Sequence, residues 1–130
     1  MCQNNFMEKK IIRWIGVILW MGVIYYFSDQ PDLKSSLPSM WDFIFRKIAH
    51  VSEYFVLSYL IFLATRDSFR LSEIKIFFVS FMFPFVYALF DEFHQTFIFK
   101  RHGSLLDVGV DLIGIIFFII LLRKHKRRYL

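Results

Sequence analysis

Four apolar stretches, Ile11–Phe27, Ile48–Ala64, Ile74–Phe90 and Val108–Leu122, divide this chain, and together they are too greasy to be left in water. They hold 17, 17, 17 and 15 residues. An α-helix needs roughly 20 to cross about 30 Å of hydrocarbon, so each stretch must recruit polar neighbours into the membrane. Counting roughly 20 residues back from Ala64 and from Leu122 reaches Phe45 and Gly103. The third stretch continues through Phe93, Phe97, Ile98 and Phe99. The expected spans are therefore 11–30, 45–64, 74–99 and 103–122.

Composition excludes the soluble alternative. With 57% apolar residues and 18 phenylalanines in 130 positions, the chain carries more apolar surface than a water-soluble domain of this size can hide. The expected fold class is all-α, a polytopic membrane protein with four transmembrane helices in one domain, residues 1–130. The formal charge of +5 resembles a nucleic-acid signal, but Arg123, Lys124, Lys126, Arg127 and Arg128 form a tail at 123–130 directly after an apolar run. Such a tail suits an anionic membrane face, so membrane lipids and no nucleic acid are the expected partners. The single cysteine, Cys2, offers neither a disulfide framework nor a thiolate metal site.

Lys9, Lys10 and Arg13 before the first stretch imitate a signal peptide, but the stretch ends in Tyr25, Tyr26 and Phe27 without a small-residue cleavage pattern. An uncleaved first span is expected. With four spans, eleven basic residues fall on the side of the termini and of the middle loop, and five on the other. The excess of positive charge then places both termini in the cytoplasm. On that topology eight of the eleven acids and three of the four histidines belong to the outer half, more than loop solvation accounts for. The outer segment 28–46, with Pro31 and Pro38, reads as an irregular lid with a short interfacial helix at Trp41–Phe45. Pro84 is expected to kink the third span.

Ionisable groups at membrane depth cost about 2.5 to 3.5 kcal/mol each at a helix centre, so a gathering of them marks a functional site by default. On the second helix Lys47, His50 and Tyr54 follow i, i+3, i+7 on one face, with Glu53 beside them. A snorkelling lysine and an interfacial tyrosine explain Lys47 and Tyr54 as well as a site does, but they leave the Glu53 carboxylate without a reason. In the run Asp91, Glu92, Phe93, His94, Gln95, residues 91, 94 and 95 share a face, and Glu92 points toward Arg101 or a neighbouring helix. Two acids beside a histidine suit metal ligation, general acid–base work or the locking of a loop. Asp107 and Asp111 lie at i, i+4 on the fourth helix, with Gly114 one turn on. Ser104 or Asp107 can cap that helix, Asp111 lies too far inside to do so, and Gly114 suits close packing. With the third helix ending at Phe99, Glu53, Asp91 and Asp111 would each lie eight residues inside a helix end, about 12 Å down.

These residues in this order resemble the VanZ-like family of bacterial membrane proteins. The resemblance runs from Ser28, Gln30 and Pro31 through Lys47, His50 and Tyr54, then Asp91, Glu92, His94 and Gln95, to Arg101, Gly103, Ser104, Asp107 and Gly114. It implies a four-helix membrane protein whose founding relatives are associated with low-level resistance to the glycopeptide teicoplanin. Two departures accompany it. Phe99, Lys100 and Arg101 stand where the family usually has Pro-Gly-Arg, and Asp111 where it usually has asparagine, which implies a different outer turn and a more acidic site.

The leading functional reading is an outward-facing site that binds or modifies a cell-envelope component, such as a lipid-linked cell-wall precursor or a glycopeptide. Glu53, Asp91, Glu92 and His94 are its expected catalytic groups. Lys47, His50, Tyr54, Gln95, Arg101, Asp107 and Asp111 are its expected ligand-binding groups. Lys47 and Arg101 suit a phosphate, and the acids and histidines suit acid–base chemistry or a divalent metal. No cofactor is named by the sequence. The alternative is a closed polar network that holds the helices together without chemistry. A proton relay is disfavoured, because the inner halves of the helices continue no chain of acids and histidines.

Overall fold

The computed structural model describes residues 2–30, 38–98 and 103–125, with side chains described from Met7 onward. It consists of four helices, α1 (Cys2–Asp29), α2 (Ser39–Ser68), α3 (Glu73–Gln95) and α4 (Leu105–Lys124). All four are long and apolar enough to cross a membrane. The shortest, α4, has 20 residues, which rise about 30 Å, the thickness of the hydrocarbon layer. Ile18, 67% exposed, and Ile12, Leu19, Phe78 and Phe90 turn outward, an arrangement that suits lipid.

The three helix ends nearest the acids and histidines differ from expectation. α2 begins at Ser39, so Trp41–Phe45 forms its opening turns and not a separate interfacial helix. Pro38, extended at ψ 143°, stands immediately before it, where its fixed φ and missing N–H do no harm. α3 stops at Gln95, short of Phe99: the Thr96 hydroxyl donates to the Phe93 carbonyl at 2.6 Å and the backbone tightens into a turn over 96–98. α4 begins at Leu105, with Ser104 as its cap, the hydroxyl accepting from the Leu106 amide at 3.1 Å. Glu53, Asp91 and Asp111 therefore do not stand at equal distances from their helix ends. α3 runs continuously through Pro84. The expected features at Pro31, Phe99, Lys100, Arg101 and the tail beyond His125 lie outside the described residues.

α2 is central, packing against α1, α3 and α4, while α1 and α4 share no interface. Its inner stripe, Tyr54, Leu57, Ile61 and Ala64, recurs at helical spacing and joins Val17, Ile24, Ala88 and Ile115 in one buried cluster. A second cluster, Phe62, Leu63, Ile76, Phe118 and Leu122, fills the space toward the end of α4. α2 and α4 run parallel and approach closely at Gly114, where an added methyl group would collide with the Val51 carbonyl. At the end of the bundle holding the start of α1, Arg13 pairs with Asp67 at 3.0 Å and the Trp14 indole donates to Ser68 at 2.9 Å. The acids and histidines of interest lie at the opposite end.

Candidate functional site: a buried acid and histidine cluster

Two rungs join α2 to α4. Lys47 forms an ion pair with Asp107, and one turn further in the His50 Nδ1 lies 2.9 Å from the Asp111 Oδ1. The i, i+3 spacing on α2 and the i, i+4 spacing on α4 match because both helices enter from this end. Lys47 also rests over the Phe43 ring, 5.2 Å from its centroid. Asp111 is 0% exposed, and its Oδ2 has no hydrogen-bond partner among the described residues.

α3 supplies the third wall. Asp91 and Glu92 are each 5% exposed, and Gln95 bridges them, its amide donating to Asp91 at 3.2 Å and to Glu92 at 3.5 Å. Glu92 also accepts the Ser104 amide at 2.9 Å, which ties α3 to the cap of α4. Gly103 makes that tie possible, since a methyl group there would strike the Glu92 carbonyl and the Thr96 methyl. One ligand atom each of His50, Glu92 and Asp111, from three different helices, lies within 4.8 Å of the others. Among the described residues, those three form the group that could hold a metal ion.

The remaining expected residues surround this group at different distances. Glu53 is half-buried and within electrostatic reach of His50, and its backbone carbonyl accepts the Trp20 indole at 2.9 Å. Tyr54 is fully buried within electrostatic reach of Asp91 and Asp111, with a hydroxyl that has no hydrogen-bond partner among the described residues. His94 turns toward α1. It stacks on Tyr25 with ring centroids 4.8 Å apart, its Nε2 lies 3.3 Å from the Tyr25 hydroxyl and 3.8 Å from Asp29, and it stands apart from the His50–Glu92–Asp111 group. Arg101 is outside the described residues. The Ser104 amide and Tyr25 were not singled out as site groups, because a backbone donor and an aromatic at a span's end carry no local sequence signal.

Below the cluster an apolar groove of about 510 Å³ opens on the membrane-facing side between α1 and α3. Met21, Val79, Met82, Phe83, Tyr87 and Phe90 line it, and Phe90 directly precedes Asp91.

Four apolar helices around a buried set of acids and a histidine at one end define a small polytopic membrane protein with a polar intramembrane cluster. Residues 13–126 match the family model VanZ/LLP1, and the chain belongs to that family. It is 32% identical over 121 residues to the uncharacterized membrane protein YwnJ of Bacillus subtilis (strain 168), a match covering 87% of this chain and 78% of that protein. No solved structure matches.

Proposed function

We propose that this end of the bundle faces outward and binds or modifies an amphipathic cell-envelope component, a molecule with a polar headgroup on an apolar tail. The observation that carries this reading is the convergence of His50, Glu92 and Asp111 from three helices at membrane depth. Such groups are expensive to keep in a membrane unless they act on something. The groove ending at Phe90 supports the choice of an amphipathic ligand, since a tail lying there would bring its headgroup beside Asp91 and His94. A lipid-linked cell-wall precursor fits this description. A site of this kind also offers a route to the glycopeptide resistance that the family resemblance implies, by changing what teicoplanin meets outside the membrane.

The experiment is complementation of a deletion strain. Glu92→Gln and Asp91→Asn variants are expected to accumulate in the membrane normally and to fail to restore teicoplanin susceptibility or envelope lipid composition to the wild-type state. A second reading, a scaffold without a ligand, draws on the Glu92–Ser104 and Lys47–Asp107 ties, which would hold the helix ends even if nothing bound. It predicts instead that the variants lose the protein itself.

A further inference from the structure

We propose that His50, Glu92 and Asp111 form a binding site for a divalent cation of the zinc class, held at the junction of α2, α3 and α4. The inference deepens the reading of this end of the bundle as a ligand site and rests on it.

Spacing is the first argument. Ligands 2.0 to 2.2 Å from a shared ion stand about 3.0 to 3.5 Å from one another, so His50 and Asp111, at 2.9 Å, are already close to the separation of two ligands of one ion. Glu92 falls within the 4.8 Å limit that contains all three, and side-chain rotation of about 1 Å brings it into the same shell. The second argument is charge. Asp91, Glu92 and Asp111 are all at least nine-tenths buried, and the described basic side chains within their electrostatic reach are His50, His94 and Lys47. Lys47 is already bonded to Asp107, and His94 is stacked on Tyr25. Buried carboxylates without matching positive charge are costly, and a divalent cation removes that cost at one point.

Two unpartnered buried atoms point to a ligand independently of the acids' proximity. Among the described residues the Asp111 Oδ2 has no hydrogen-bond partner, on a residue with no exposure, while its other oxygen meets His50. The fully buried Tyr54 hydroxyl, within electrostatic reach of Asp91 and Asp111, has no hydrogen-bond partner among the described residues, and there it would meet a water or ligand oxygen on the ion's open position. One imidazole with two carboxylates suits zinc better than magnesium or calcium, which prefer all-oxygen shells. Three protein ligands also leave one position open, the arrangement of a site that binds or activates something.

The test uses the full-length protein, purified in detergent without a histidine tag, stripped with chelator and titrated with zinc chloride alone by calorimetry, with metal content checked by elemental analysis. One zinc per chain is expected, with an upward shift in thermal unfolding midpoint on adding the metal. His50→Ala and Glu92→Gln are expected to weaken binding by about tenfold or more, and Glu8→Gln, at the other end of the bundle, to leave it unchanged. If Asp111→Asn or another variant does not fold, the wild-type stoichiometry and metal-dependent midpoint still decide. Wild-type protein that binds no zinc, or His50→Ala that binds it as tightly, overturns the proposal. Because no envelope phenotype is read, that result would leave the proposed function standing, and a failed complementation test would leave the metal site standing.

Discussion

His50 and Asp111 meet at 2.9 Å across the interface of two parallel helices, one turn further into the bundle than Lys47 and Asp107. The register of α2 on α4 is thus written twice in charge, and once more in packing at Gly114. A double-mutant cycle on His50→Ala and Asp111→Ala is expected to show coupling of about 1 to 2 kcal/mol in metal-free protein, the upper range for polar pairs between membrane helices. Reversible unfolding in mixed micelles measures it. Additive single effects would show that the two side chains do not support each other.

The outer rung is weaker, because both partners keep contact with the headgroup region. Lys47 and Asp107 retain about a quarter of their side-chain exposure, so breaking the pair is expected to cost under about 1 kcal/mol. Lys47→Glu alone sets two acids against each other and is expected to lower membrane abundance. Combining it with Asp107→Lys is expected to restore abundance, and immunoblots of membrane fractions read the difference.

Gly114 and Gly109 lie on the same helix but face different surroundings. A methyl group at Gly114 meets the Val51 backbone, which cannot rotate away, whereas one at Gly109 meets nothing within 4 Å. Gly114→Ala is expected to destabilise the protein by about 1 to 3 kcal/mol and Gly109→Ala to leave it unchanged or slightly more stable. Thermal unfolding of the two variants side by side is the measurement.

The four helices were legible because apolar runs of this density admit no other structure in lipid, and the partners Lys47, His50, Asp107 and Asp111 were legible from helical spacing. Where the helices stop was not. The Thr96 hydroxyl ends α3 by bonding to the Phe93 carbonyl, although the apolar text continues through Phe97 and Ile98. Pro38 starts α2 six residues before the hydropathy pattern suggests. Pairings across helices were legible only in part. Spacing puts Asp91, His94 and Gln95 on one face, yet the aromatic surface of Tyr25 on α1 holds His94 while Gln95 joins Asp91 to Glu92. Which neighbour a face meets depends on how helices are arranged, and one sequence does not carry that.

Tyr87 offers a test of how α1 is held, since α1 touches α3 lightly and leaves a groove beside it. The Tyr87 hydroxyl donates to the Met21 carbonyl at 2.8 Å, bridging the two walls of that groove. Tyr87→Phe keeps the ring and removes the bridge, at an expected cost of about 1 kcal/mol, and should increase protease nicking of α1 in mild detergent. Unchanged nicking would mean that the other ties of α1, the Trp20 and Trp14 bonds and the Arg13–Asp67 pair to α2 among them, hold it without the bridge.

Orientation yields the last prediction. The turn over 96–98 adjoins Glu92, Gln95 and the Ser104 cap, while the connection between α2 and α3 lies at the end where Arg13 meets Asp67. The single span α3 between them puts these two connections on opposite sides of the membrane. Basic residues concentrate at the Arg13 end and on the tail, so the cluster should face outward. In a Cys2→Ser background, Phe97→Cys is expected to react with a membrane-impermeant maleimide on intact cells, and Arg70→Cys only after permeabilisation. Phe97 and Arg70 are both exposed, so reactivity reports side and not burial. The reverse pattern would place His50, Glu92 and Asp111 next to the cytoplasm, where no external cell-wall component can reach them, and would eliminate the proposed function while leaving the cluster's geometry and the proposed metal site to their own test.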